Sequence, residues 1–96
     1  MANLLFSPKA RTDLELIWRY SADNWGELSA ETYLRTIFNA AEQIQKYPNL
    51  GRMRNDVRIG YRSVIVGSHV IFYKLIKNRV NIIRVLHQRV DIAAIF

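Results

Sequence analysis

The stretch "YRSVIVGSHVIFYKLIKNRVNIIRVLH", residues 61–87, decides the fold, because within it apolar residues recur with a period of two rather than 3.6. It holds three runs rich in β-branched and aromatic residues: "YRSVIV" at 61–66, "HVIFYKLI" at 69–76 and "VNIIRVL" at 80–86. Gly67 and Ser68 form a two-residue connection of the kind that closes a tight hairpin, and "KNR" at 77–79 closes the next. An antiparallel meander is the expected structure.

Register follows if the first turn is two residues and the second is centred on Lys77 and Asn78. Val66 then faces His69, Val64 faces Ile71 and Arg62 faces Tyr73. Across the second hairpin Ile71 faces Arg84 and Tyr73 faces Ile82. Unbroken alternation places Arg62, Tyr73 and Arg84 on one face with Val64, Val66, Ile71, Leu75, Val80, Ile82 and Leu86. The other face carries Ile65, Val70, Phe72, Ile83 and Val85. Both faces are largely apolar, and two helices can cover only one. The face with Arg62, Tyr73 and Arg84 is expected to be left over, either partly filled by the tail "DIAAIF" or awaiting another chain.

Upstream the period changes. "NLLF" at 3–6 is too short for a helix and reads as a strand, after which Ser7 and Pro8 give a helix start, a hydroxyl N-cap followed by proline at the first helical position. Ala10, Leu14, Ile17, Trp18 and Trp25 lie on one face of a helix ending at Gly26. A second stripe of Ala30, Leu34, Ile37, Ala41 and Ile44, with Ser29 as its expected cap, runs until Pro48 forbids continuation. So short a connection makes the pair an antiparallel helix hairpin. The expected class is α+β: an N-terminal strand, then a helix hairpin packed on one face of a mainly antiparallel sheet.

Length sets one domain, residues 1–96, around a single core. Cysteine is absent, which excludes disulfides and thiolate metal sites. His69 and His87 are the only histidines, and no carboxylates cluster at ligand spacing, so no metal is expected. The start "MANLLFSPKARTDLE" lacks a basic n-region, and no apolar run approaches the roughly 20 residues of a membrane helix. A soluble, cytoplasmic protein is expected. Residues 1–45 carry four basic and six acidic side chains, whereas residues 46–96 carry ten basic and two acidic. The second half is a cationic surface suited to an acidic protein or to nucleic acid.

No glycine-rich phosphate loop and no serine or cysteine nucleophile motif is present. Metal-free RNA cleavage needs only a base, an acid and cations on the phosphate, and Arg62, Tyr73, Arg84 and His87 supply those types. The alternative is that the arginines meet acidic side chains of a partner, Tyr73 packs on the sheet and His87 ends a strand. Strict alternation sends His87 to the opposite face from Arg84. A bare nucleic-acid-binding module is less well supported, since the interleaved aromatics of a stacking platform are missing.

The order of elements, with "SPKARTDLELIWRYSADNWG" near the start, "YPNLGRMRNDVRIGYRSVIVGSHVIFY" in the middle and "IIRVLHQRVDI" at the end, resembles the ParE branch of the RelE/ParE toxin superfamily. The likeness spans essentially the whole chain, and "GYRSVIVGSHVIFY" with "RVLHQRVD" carries its specificity. It implies a toxin of a type II toxin–antitoxin system, associated with plasmid stabilisation and growth arrest. Such a toxin is neutralised by a ParD-like antitoxin and blocks replication by trapping DNA gyrase, its A subunit being the expected target. A toxin dimer within the antitoxin complex fits the same resemblance. No cofactor, catalytic residue or direct nucleic-acid contact is required. The antitoxin is expected on the leftover sheet face, at Arg62, Val64, Ile71, Tyr73, Ile82, Arg84 and Leu86. The alternative is a ribosome-dependent mRNA endoribonuclease of the RelE type, in which Arg62, Arg84 and His87 would act. Against it, the chain after Asp91 is only "IAAIF", without a late tyrosine, and "GRMRNDVR" has arginines where those nucleases favour lysines.

Overall fold

A computed structural model describes residues 3–96, in the order β1 (Asn3–Phe6), α1 (Pro8–Trp25), α2 (Glu27–Lys46), β2 (Arg52–Met53), β3 (Tyr61–Val66), β4 (His69–Ile76), β5 (Arg79–His87) and a final helical turn, α3 (Ile92–Ile95). The sheet order is β1-β5-β4-β3-β2, with β1 parallel to β5 and every other pair antiparallel. The expected α+β architecture is present. The short edge strand β2 and the turn α3 add to it.

Ser7 starts α1 as expected, its hydroxyl oxygen accepting from the Ala10 N–H at 3.0 Å, with Pro8 in the first turn. Gly26 ends α1 and begins α2, at a φ of 93° that a side chain would oppose. The reversal therefore takes one residue, and α2 starts at Glu27 without using Ser29 as its cap. All five expected stripe residues of α2 are buried. On α1 the stripe continues through buried Ser21, and Trp25 turns outward at 65% exposure, edge-on to Tyr20.

The first hairpin keeps the expected register throughout, and in the second Tyr73 faces Ile82. Lys77 and Asn78 take positive φ, as the tight turn demands. Beyond Ile82 the register shifts: Phe72 faces Arg84 and Ile71 faces Val85, so Ile83 is the extra residue of a β-bulge. The expected Ile71–Arg84 pairing is thereby corrected. Val85 turns inward with Ile71, Tyr73, Val80 and Ile82 to meet the helices, while Leu86 joins Val70 and Phe72 on the opposite side.

The leftover face is thus the opposite of the one expected. Ile71, Tyr73, Val80 and Ile82 lie wholly buried beneath Ala10, Leu14, Ile17, Leu34, Ile37 and Ile44. The tail does cover a sheet face, but over Val70, Phe72 and Leu86, where Val57, Val90, Ile92 and Phe96 pack. Phe96 meets Phe72 and Tyr61 edge-on, with ring centroids at 5.2 and 5.7 Å.

Tyr73 anchors the loop between α2 and β2. Its hydroxyl donates to the Pro48 carbonyl at 2.7 Å and accepts from the Gly51 N–H at 2.8 Å. Arg62 adds a 2.7 Å bond to the Gly51 carbonyl. Tyr73→Phe leaves one acceptor and one donor unpaired, and should cost about 1 to 3 kcal/mol, read as a lowered midpoint in urea denaturation. Gly51→Ala should be at least as damaging, since a Cβ there would stand 2.6 Å from the Tyr73 hydroxyl oxygen and 3.0 Å from the Ser63 carbonyl oxygen.

Candidate functional site

The seven residues expected to meet an antitoxin do not form one surface. Ile71, Tyr73 and Ile82 have no exposed area and Leu86 is 6% exposed, so these four are spent on the protein's own packing. Arg62 and half-buried Val64 lie on the helix side of the sheet, whereas Arg84 pairs with Phe72 on the other side. The bulge separates Arg84 from Arg62 and Tyr73.

Arg84 is held by Asp13 of α1. Its Nε donates to one carboxylate oxygen at 2.8 Å and its Nη2 to the other at 2.9 Å, a bidentate pair largely shielded from water. The same carboxylate accepts the Val85 N–H at 3.0 Å. These bonds favour the charged guanidinium and push the Arg84 pKa up against the opposing effect of burial.

The residues for metal-free RNA cleavage are also dispersed. His87 opposes His69, and Arg62 opposes Tyr73, so His87 and Arg62 stand four positions apart along β4, roughly 13 Å at strand rise. His87 Nδ1 accepts from the Arg89 N–H at 3.1 Å, while Arg62 is engaged by loop carbonyls. His69 lies 5.3 Å from His87 between ring centroids, and its Nδ1 is 2.6 Å from the Tyr33 hydroxyl. That hydroxyl accepts from Ser68 N–H at 3.0 Å and lies 3.4 Å from the Val66 carbonyl, a second acceptor for its proton beside His69. Burial, then the neighbouring His87, lowers the His69 pKa against a weaker raising pull from Asp13.

An open apolar groove of about 570 Å³ runs between α1 and α2. Leu14, Trp18, Leu34 and Phe38 line it, and Glu15, Glu31, Arg35 and Glu42 stand among them. Phe38 is 42% exposed and touches Phe6 edge-on at 5.8 Å. The sequence offered a signal for this groove: Phe38 lies four residues after Leu34, on the shoulder of the buried stripe, where a large aromatic cannot be fully covered.

The family model described as the ParE toxin of the type II toxin–antitoxin system parDE matches residues 4–92. The chain belongs to the ParE toxin family. It is 40% identical over 89 residues to Toxin ParE1 of Mycobacterium tuberculosis, covering 92% of this chain and 91% of that protein. It is 42% identical over 88 residues to Toxin ParE1 of Caulobacter vibrioides, with the same coverages, 92% and 91%. Among solved structures, the chromosomal ParDE system of P. aeruginosa superposes with a TM-score of 0.80 at 20% identity, over 91% of this chain and 96% of that one. The E. coli RelBE toxin–antitoxin complex superposes with a TM-score of 0.62 at 16% identity, over 94% and 100%. No helix among the described residues is long and apolar enough to cross a membrane, and none of their His, Asp and Glu side chains form a group of three able to hold a metal.

The fold of this ParE chain lowers the His69 pKa, whereas the unfolded chain protonates it near the ordinary value of about 6.5. The unfolded state then binds more protons as the solution is acidified, so this contribution to stability is present above about pH 6.5 and is lost as pH falls through the depressed folded value. Urea midpoints measured from about pH 7.5 to about pH 5.5 should fall more steeply for the native sequence than for His69→Gln. Equal slopes would mean that His69 is not the group responsible.

Proposed function

We propose that this ParE-family toxin arrests growth by inhibiting DNA gyrase, without catalysis of its own, and that a ParD-like antitoxin neutralises it. The observation that supports this reading over nuclease action is the dispersal of Arg62, Arg84 and His87. Each is engaged within the fold, and Arg84 lies across the sheet from the other two. A general acid or base must reach one substrate together with the phosphate-binding cations, which this spacing opposes. Membership of the parDE toxin family supports the antitoxin assignment, and the gyrase target rests on the resemblance to the ParE branch.

The antitoxin segment is placed in the groove between α1 and α2, as an amphipathic helix with apolar side chains against Trp18 and Phe38. This site replaces the sheet face on which Ile71 and Ile82 are buried. Phe38→Asp should weaken the antitoxin complex by about 2 to 4 kcal/mol, the range of an interface hot spot, in isothermal titration calorimetry. Ile65→Asp, a change of a 69% exposed residue on β3, should leave affinity unchanged. Full affinity in Phe38→Asp would place the antitoxin elsewhere.

The cellular target is tested by pulse labelling after expression without antitoxin. Thymidine incorporation should fall first and the DNA-damage response should be induced while amino-acid incorporation continues. An immediate loss of amino-acid incorporation, with codon-phased mRNA ends on purified ribosomes, would overturn the gyrase reading in favour of RelE-type cleavage.

A further inference from the structure

The two layers of the molecule differ in charge. Residues 46–96, which run from the last residue of α2 through β2 to β5 and their loops to α3, carry ten basic and two acidic side chains, and both acids are engaged: Asp56 with Arg54, and Asp91 as the cap of α3. Where the start of α1 meets the sheet side that carries Phe72, Lys9, Arg58, Tyr61, Arg84 and Phe96 line an open cleft of about 520 Å³. Lys74 borders it, since it opposes Tyr61 on the neighbouring strand and its Cε lies 3.5 Å from where a Cβ on Gly60 would stand. Lys9 and Arg58 are exposed and Lys74 is half-buried. Among the described residues these three form no ion pair, and Arg84 pairs only with Asp13. Cations gathered around one cleft repel one another, and a polyanion lying across them would relieve that repulsion.

We propose that this face binds the phosphodiester backbone of nucleic acid, with Lys9, Arg58 and Lys74 on phosphates and Tyr61 and Phe96 at the apolar rim of the cleft. The site is separate from Arg62 and His87, which lie on the helix side. It needs neither gyrase nor antitoxin, so it stands or falls independently of the function proposed above. The charge pattern favours nucleic acid over an acidic polypeptide. Lys9, Arg58 and Lys74 make no ion pair with a carboxylate among the described residues, as suits phosphate contacts that only neutralise charge, and the apolar groove that would anchor a peptide helix is lined by other residues, between α1 and α2.

The test is fluorescence anisotropy of the purified chain with labelled duplex DNA, single-stranded DNA and RNA of equal length. Binding to at least one should weaken steeply between about 50 and 200 mM salt, with a logarithmic slope of about −3 for three neutralised phosphates. The preferred nucleic acid then identifies the natural source of the phosphates. Arg58→Glu and Lys74→Glu should each weaken binding by about tenfold and flatten the slope by about one, and Arg58→Gln should show a smaller loss of the same kind. Arg19→Glu, an exposed change on α1, should alter affinity less than twofold. Thermal melts confirm that the variants fold. The proposal is overturned by the absence of salt-dependent binding to all three, by an equal loss in Arg19→Glu, or by poly-glutamate displacing the probe as well as unlabelled nucleic acid at matched charge. The last result would assign the face to acidic polypeptides.

Discussion

The extra residue at Ile83 is the constraint on which the rest of the sheet depends. A bulge leaves backbone groups unpaired just where β1 ends and β5 loses its neighbour, and the start of α1 supplies the missing partners. The Ser7 hydroxyl donates to the Ile83 carbonyl at 2.6 Å, and Asp13 accepts the Val85 N–H two turns further along the helix. Helix α1 is therefore both a packing layer and the continuation of the sheet edge. Because Asp13 also grips Arg84, the carboxylate fixes which side of the sheet each residue after the bulge occupies. With Ile83 paired normally, Val85 would leave the core and the face assignments of the last third of β5 would reverse.

Much of this architecture is legible in the sequence, and the part that is not has a definite cause. Ser7-Pro8 marks the start of α1, Gly67-Ser68 and Lys77-Asn78 fix two hairpins, and the stripe from Ala30 to Ile44 is wholly buried. These features are local and each has its own chemistry. The bulge is not: "NIIRVL" offers no glycine or proline to signal it, and the groups that stabilise it, Ser7 and Asp13, lie more than 70 residues away in the chain. Assuming perfect alternation moved Arg84 and Leu86 onto the wrong side and made a buried face look vacant. The groove at Phe38 was hidden for a different reason, since periodicity distinguishes inside from outside but does not register a residue covered only in part.

The fold shared with RelE-type toxins does not by itself set the chemistry. In this chain the side chains that could make a metal-free nuclease have structural duties: Arg62 and Tyr73 fasten the loop at Pro48–Gly51, Arg84 completes the edge of β5, and His87 closes on the backbone of Arg89. The surfaces left free are of two kinds, an apolar groove on the helices and a cationic cleft on the sheet. No residue lines both, so a segment that fills one need not shield the other.

The parallel pairing of β1 with β5 joins Leu4 to Val80 and Phe6 to Ile82, near the two ends of the chain. During synthesis the helix hairpin can form early from near neighbours, but the N-terminal strand has no partner until the last strand has left the ribosome. Asp13 likewise waits for Arg84 and Val85. The finished toxin surface is thus a late product of translation, and a nascent or truncated chain lacking β5 is left with an unpaired first strand and an uncovered helix layer.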